Sequence, residues 1–383
     1  MIYLDYAASS PLLGEVKHRI FDTLAIYGNP SSTHAAGAEA RKIIDDAKKN
    51  LLDFLGTKEG DIIFTSGGTE ANNLAILGLE DYLRKSGKTT IVTSKIEHPS
   101  VLKAYEHLEG KGFNVIYMPV HEDGRVDIED LHMVIEANMS TLGLVSIQTV
   151  NSEIGTVQNI EDIGGLCRDY DILFHTDAVQ GVGHVPIDVE KCYIDLLSMS
   201  GHKLGTPKGV GALYVRYKKA LSPLVYGGGQ EYGLRSGTEN VLGIAALDTA
   251  VKTLKHSSNS HFAAIDLFHA FILDELEISM KVPFFINNED GRTHIVSLTI
   301  PKVEGSSLAL LLNEAGICVS TGSACSSGSL EPSYVLKAIG LSDKDAVCTI
   351  RISFLPYVSS LTDIQKAIQK IAELSKQLYE LAE

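Results

Sequence analysis

Between residues 61 and 215 the chain alternates short apolar runs with helix-like segments, and no other feature constrains its fold as tightly. Runs at 61–65, 90–93, 113–117, 142–149, 172–176, 194–199 and 210–215 are of strand length, and the intervening segments 69–85, 99–110 and 127–138 read as helices. Strands separated by helices pair in parallel, because each crossover carries a helix back over a sheet face. The pattern therefore predicts an α/β fold with a mostly parallel seven-stranded sheet covered on both sides. Ligands of such sheets sit beyond the carboxyl ends of the strands. His98 follows IVTSKIE, Asn151 follows LVSIQTV, Asp177 follows ILFHT and Lys203 follows LLSMSGH, so four polar residues are expected to gather there.

The flanking segments suggest a second unit. Glu15 to Ile26 and Ala38 to Leu55 space their apolar residues as amphipathic helices, and Asp363 to Glu383 places Ile364, Ile368, Ile371 and Leu378 on one helical face. The polar stretch KHSSNSH (255–261) is expected to end the long helix that leaves the sheet, and HIVSLTIP (294–301) to begin a second sheet. A large domain over 15–255 is thus expected beside a smaller α+β domain formed by 1–14 and 256–383. A chain of 383 residues is long enough for both cores.

Composition narrows the function classes. A net charge of -15 disfavours direct nucleic-acid binding or adhesion to an anionic membrane. The N-terminus MIYLDYAASSPLL lacks the basic and apolar regions of a secretion signal, and no run approaches the roughly 20 apolar residues of a membrane span. A cytoplasmic location is the expectation. The five cysteines are odd in number and include no CxxC pair, which argues against a disulfide framework or a zinc site. Four lie in apolar surroundings and read as packed thiols. Cys325 instead lies among serines and glycines, in a loop expected at about 320–333, where a thiol is more accessible.

Asp177 and Lys203 point to a specific chemistry. Lys203 is flanked by Ser200, His202 and Gly205 instead of other charges, which suits it to form a Schiff base with a carbonyl cofactor. Pyridoxal 5'-phosphate (PLP) needs a lysine for its aldehyde, a carboxylate to keep its pyridine nitrogen protonated, and donors for its phosphate. Gly67-Gly68-Thr69, between an apolar run and a helical segment, offers backbone N–H groups, a hydroxyl and a helix N-terminus to such an anion.

With those residues in view, SGHKLGTPKGVGALYV preceded by HTDAVQ resembles the lysine region of the NifS/IscS-type cysteine desulfurases, PLP enzymes of the class-V aminotransferase family. The resemblance continues in the family's order through YLDYAASSP (3–11), YGNPSSTH (27–34), SGGTEANNLAI (66–76), IEHPSV (96–101), VNSEIGTVQ (150–158), GGGQEYGLRSGT (227–238) and STGSACSSGSLEPSYVLKAIG (320–340). It implies the fold type I architecture of PLP enzymes. It also implies that Gly68, Thr69, Ser200 and His202 bind the phosphate, and that Thr238 reaches the phosphate of the other subunit of a homodimer. His98 would stack on the ring, Gln180 would meet the phenolic oxygen, and Asn151 would position cofactor or substrate. Arg351 would pair with the substrate carboxylate, a task suited to its planar fork.

The implied reaction takes L-cysteine to L-alanine: Lys203 or His98 moves the α-proton and the Cys325 thiolate takes the sulfur as a persulfide. The sulfur would pass to an acceptor protein, either an iron–sulfur scaffold or a tRNA-thiolation enzyme. The chain departs from many relatives at Tyr232, where they carry a cation, and over 354–360, where FLPYVSS replaces their usual ending. Two other readings stand beside the first: a selenocysteine lyase or cysteine β-lyase, needing no loop thiol, and a catalytically weak scaffold homologue.

Overall fold

The computed structural model describes residues 1–321 and 332–382, apart from the side chains of 257–259. The chain begins with strand β1 (Ile2–Tyr3), an arm, and helices α1 (Gly14–Thr23) and α2 (Ala35–Phe54). The alternating region follows as β2 (Asp61–Thr65), α3 (Gly68–Leu77), α4 (Glu80–Lys85), β3 (Thr90–Ser94), α5 (Pro99–Gly110) and β4 (Asn114–Met118). It continues as α6 (Ile128–Asn138), β5 (Leu142–Ser146), α7 (Ile160–Asp169), β6 (Leu173–Asp177), β7 (Leu196–Ser200) and β8 (Gly211–Val215).

These strands form a seven-stranded sheet in the order β2–β8–β7–β6–β5–β3–β4, as the alternation predicts. The pairs from β7 to β4 are parallel, and β8 alone runs against both its neighbours. Successive side chains of a strand point to opposite faces, so each strand feeds two cores. Ile62 and Val145 enter the core that includes Leu51 and Leu247, while Ile63 and Leu144 enter the one that includes Leu74 and Tyr105.

Two expectations need correction. Segment 69–85 is not one helix: the chain breaks at Gly78, whose carbonyl accepts the Ser222 N–H at 2.8 Å. The long helix does not end at 255–261. Helix α8 runs unbroken from Val241 to Ser279. KHSSNSH contains neither glycine nor proline, and its polarity alone does not stop a helix. Leu254 on one side of it is buried in the core under the large sheet, and Ile265 on the other is buried in a separate core.

That second core belongs to the last third of the chain. That third comprises β9 (Phe285–Ile286), β10 (Ile295–Thr299), α9 (Gly305–Glu314), β11 (Ile317–Cys318), α10 (Tyr334–Ala338), α11 (Asp343–Ala346), β12 (Thr349–Ser353) and α12 (Leu361–Leu381), of which α10 and α11 pack instead with Ile96 and Ile154. Strands β12, β10 and β9 make an antiparallel sheet, and β1 pairs in parallel with β11. Leu4 of the N-terminal arm packs into this core with Leu276, Val296, Ile352 and Ile368. Among the described residues no helix is long and apolar enough to cross a membrane.

Candidate active site

Beyond the carboxyl ends of β2, β5, β6 and β7 lies a cavity of about 550 Å³. Lys203, in the turn that follows β7, donates from Nζ to the carbonyls of Ala7 and Ala8, the latter at 2.8 Å. Asp177 ends β6 and is buried. One of its oxygens accepts the Val179 N–H at 3.0 Å and the other accepts Asn72 Nδ2 at 2.7 Å. The same Asn72 amide donates to Ser100 Oγ at 2.9 Å, and Ser100 Oγ lies 2.7 Å from His98 Nδ1. His98 caps α5, with Pro99 in the first helical position, and its Nδ1 accepts the Ser100 N–H at 3.1 Å. An imidazole that accepts on Nδ1 carries its proton on Nε2. The capping geometry thus fixes both the ring and its tautomer.

Gln180 is held at both ends of its amide: Nε2 donates to Ala7 O at 2.8 Å, and Oε1 lies 3.2 Å from His294 Nε2. Burial pushes His294 well below the ordinary imidazole range, and His184 stacks on it at 3.9 Å. A neutral His294 donates from Nε2, which leaves the Gln180 NH2 on the Ala7 side. Burial, with Lys203 and Lys208 adding to it, lowers His202 to about 4, so this ring is neutral near pH 7 and offers one N–H without a charge.

At the far end, Arg351 of β12 is 3% exposed. One terminal nitrogen donates to Ser152 O at 2.7 Å and the other to Asp5 Oδ1 at 2.8 Å. Two further carboxyls are buried, Glu97 toward Asp177 and Glu153 toward Arg351. Burial raises Glu97 to about 8, although Ser94 Oγ and the Gln148 N–H both donate to its Oε1. Burial also raises Glu153, whose Oε2 accepts the Ser333 hydroxyl.

Of the residues expected from sequence, Gly68, Thr69, His98, Asp177, Gln180, Ser200, His202, Lys203 and Arg351 all border this cavity. Asn151 does not border it. Its side chain is committed to the backbone, accepting from Glu153 N and Ile154 N and donating to Ile96 O, which shapes the 151–154 turn. Thr238 is exposed and also stands away from the cavity. Cys325 lies outside the described residues. Sequence reasoning missed Asn72, Asp5, Ala7, Ala8 and Glu153. Each sits in a stretch noted for its resemblance, yet nothing in a sequence tells which backbone carbonyl or buried amide will face a cavity. Tyr232, in place of a cation, lies beneath Lys48 Nζ and Lys218 Nζ at 4.3 and 4.1 Å from its ring centre.

These residues fit PLP. An amine and a buried carboxylate border one cavity, as the aldehyde and the pyridine nitrogen require. The Gly67-Gly68 backbone leaves room for an anion at the start of α3: a Cβ on Gly68 would come within 2.5 Å of Val179 Cγ2, and one on Gly211 within 2.6 Å of Gly67 Cα. A Cβ on Gly67 itself would meet nothing nearer than Ser200 Oγ at 3.8 Å, so open space lies beside this helix N-terminus, where N–H groups can face an anion.

The signature of the aminotransferase class-V family matches residues 2–366. The chain belongs to the class-V aminotransferase family. Within the class-V family its relatives are of the NifS/IscS type. It is 40% identical over 382 residues to the cysteine desulfurase IscS of Dictyoglomus turgidum, covering 98% of this chain and 96% of that protein. It is 42% identical to the putative cysteine desulfurase IscS 1 of Bacillus subtilis, covering 98% and 99%. Among solved structures, a NifS-like protein superposes with a TM-score of 0.88 at 32% identity, covering 98% and 99% of the two chains. A NifS-like protein from Rickettsia africae gives 0.87 at 31%, covering 99% of each. Class-V members are PLP-dependent, which agrees with the fit of the cavity.

Proposed function

We propose that this chain is a PLP-dependent cysteine desulfurase that converts L-cysteine to L-alanine and takes the sulfur on Cys325 as a persulfide. The observation that carries the reading is the convergence of Lys203, Asp177 and Arg351 on one buried cavity. Lys203 would hold the cofactor's carbonyl carbon, Asp177 its ring nitrogen and Gln180 its phenolic oxygen. The N-terminus of α3 with Thr69, Ser200 and His202 would hold its phosphate. When bound, PLP supplies the electron sink that acidifies the substrate's α-carbon and weakens its bond from carbon to sulfur.

The chain's own residues supply the rest. Arg351 binds the substrate carboxylate and so orients the α-proton toward Lys203 and His98, the two groups that can move it. His98 is suited to lie flat on a ring because Ser100 and the helix cap fix its plane. The Cys325 thiolate then attacks the substrate sulfur. A sulfur–sulfur bond forms, the carbon–sulfur bond breaks with its electron pair left on the β-carbon, and that carbon takes a proton to become the methyl group of alanine.

Two copies of the chain are expected to pair, a reading that the exposed Thr238, distant from its own cavity, supports. The persulfide would serve an iron–sulfur scaffold or a tRNA-thiolation enzyme in the cytoplasm. The division into a large domain over 15–255 and a small one over 1–14 and 256–383 is likewise our reading, with α8 shared between them.

Intact-mass measurement after L-cysteine, without reductant, tests the assignment. Wild type should gain one sulfur atom and release alanine. Cys325→Ser should retain PLP, gain nothing and lose sulfur transfer. Full turnover by Cys325→Ser, with free sulfide as product, would overturn the persulfide assignment in favour of a lyase.

A further inference from the structure

Arg351 meets the cavity with part of its hydrogen-bonding capacity already spoken for. Ser152 O takes one terminal nitrogen and Asp5 takes the other, while Nε, buried, has no partner among the described residues. Asp5 does not itself border the cavity; it meets Arg351 from the N-terminal arm. The arm fixes it there firmly. Asp5 bridges to Ser353 on β12, Ala7 N donates to Ser353 Oγ at 2.9 Å, and the Asp5 carbonyl accepts the Tyr3 hydroxyl at 3.0 Å. A carboxylate arriving in the cavity would satisfy Nε and share the adjacent terminal nitrogen with Asp5. Two carboxylates would then meet on one guanidinium.

We propose that Asp5 is a positioning residue that sets how tightly the cavity holds an α-amino acid carboxylate, aiming Arg351 while opposing the incoming negative charge. This rests on the reading of Arg351 as the carboxylate-binding residue. Glu153 is a second carboxyl near Arg351, but it also borders the cavity and is held by Ser333. Asp5 is not part of the cavity lining, so its charge can be removed without changing that lining.

The substitution Asp5→Asn separates the two effects. Asparagine Oδ1 still accepts the Arg351 bond, and Ser152 O still holds the other nitrogen, so the aim of the guanidinium is kept while the like charge is lost. Like charges a few ångströms apart and screened almost as in water alter affinity by about three- to ten-fold. The PLP-loaded protein is titrated in a calorimeter with L-alanine and, separately, with L-alaninamide, which keeps the amine but lacks the carboxylate.

For Asp5→Asn, alanine should bind about three- to ten-fold more tightly, alaninamide should be unchanged, and the KM for L-cysteine should fall with little change in kcat. Weaker alanine binding by Asp5→Asn would reduce Asp5 to a scaffold for the arginine and overturn the opposition of charges. Equal shifts for both ligands would overturn it too, since a general loosening of the site makes no distinction between them. A wild-type protein that binds alaninamide as tightly as alanine would overturn the assignment of Arg351, and the role of Asp5 would fall with it.

Discussion

At the lysine end of the cavity, the functional groups stand at strand ends of one sheet, and part of what fixes them is close in sequence. Asp177 is held by Val179 N, Lys203 follows β7 directly, and His98 is fixed by Ser100 two residues on. At the arginine end the partners are remote in sequence. Arg351 and Asp5 are 346 residues apart, and Ser333 and Glu153 are 180 apart. The first end takes its functional groups from the ends of one sheet's strands, and the arm reaches it only through backbone carbonyls, where Ala7 and Ala8 accept from Lys203 and Ala7 from Gln180. The second requires the N-terminal arm, the 151–154 turn, α10 and β12 to arrive together. On the proposed reading, the groups that would hold the cofactor stand mainly on the large sheet, whereas those that would recognise the substrate depend on how the two cores meet.

The comparison can be broken at several points. Lys203→Ala should abolish alanine formation, by at least about a thousand-fold, together with the visible absorbance of the bound cofactor. It should shift the melting temperature of the cofactor-free protein far less than it shifts activity, because the bonds from Nζ to the Ala7 and Ala8 carbonyls are two among many that hold the arm. A large drop would mean that the bonds from Lys203 to the arm hold the lysine end together as remote partners hold the arginine end.

Glu97 joins the two ends: its carboxyl receives bonds from Ser94 and Gln148 beside the large sheet, and its carbonyl receives the Tyr334 hydroxyl from α10. Burial raises this carboxyl from 4.5 to about 8. As pH rises, the unfolded chain releases this proton first, so the native state binds more protons over that window. Stability falls between about pH 4.5 and 8 and then levels off. In Glu97→Gln this fall should be shallower by on the order of 3 kcal/mol, measured as denaturant midpoints across pH 5 to 8. Parallel profiles for the two proteins would show that Glu97 is ionised when folded.

Asn151→Ala removes three bonds that shape the turn beside Arg351, and should cost about 2 kcal/mol in chemical denaturation while weakening alanine binding more than cofactor binding. The smallest expected effect is a coupling. Asn72→Ala acts at the lysine end and Ser333→Ala at the arginine end, so in a double-mutant cycle their stability effects should add within about 0.5 kcal/mol. A larger coupling would merge the two ends into one network.

The same contrast explains what the sequence made legible. The seven strands and the cavity-lining positions of Lys203, Asp177, Thr69 and His98 follow from short-range pattern: apolar runs of strand length with a polar residue just past each end. Asp5 and Glu153 carry no such mark, because their roles depend on partners 346 and 180 residues away. Asn151 has the right position at a strand end, but its side chain satisfies its own turn, an outcome decided by two nearby N–H groups and the Ile96 carbonyl. The error over 255–261 has a different origin. Polarity was taken as a boundary, whereas the helix continues because apolar residues on either side are drawn into separate cores.

That continuous α8 has a mechanical consequence. At about 1.5 Å per residue, its 39 residues form a rod of roughly 58 Å. Leu247 and Leu254 near one end are clamped in the first core, and Ile272 and Leu276 near the other in the second. Such a strut resists bending and twisting between its clamps, and neither core can melt without stripping the packing from half of it. Heating should therefore unfold the chain in a single calorimetric peak, and any opening between the two cores must pivot on the loops around the strut and not on the strut itself.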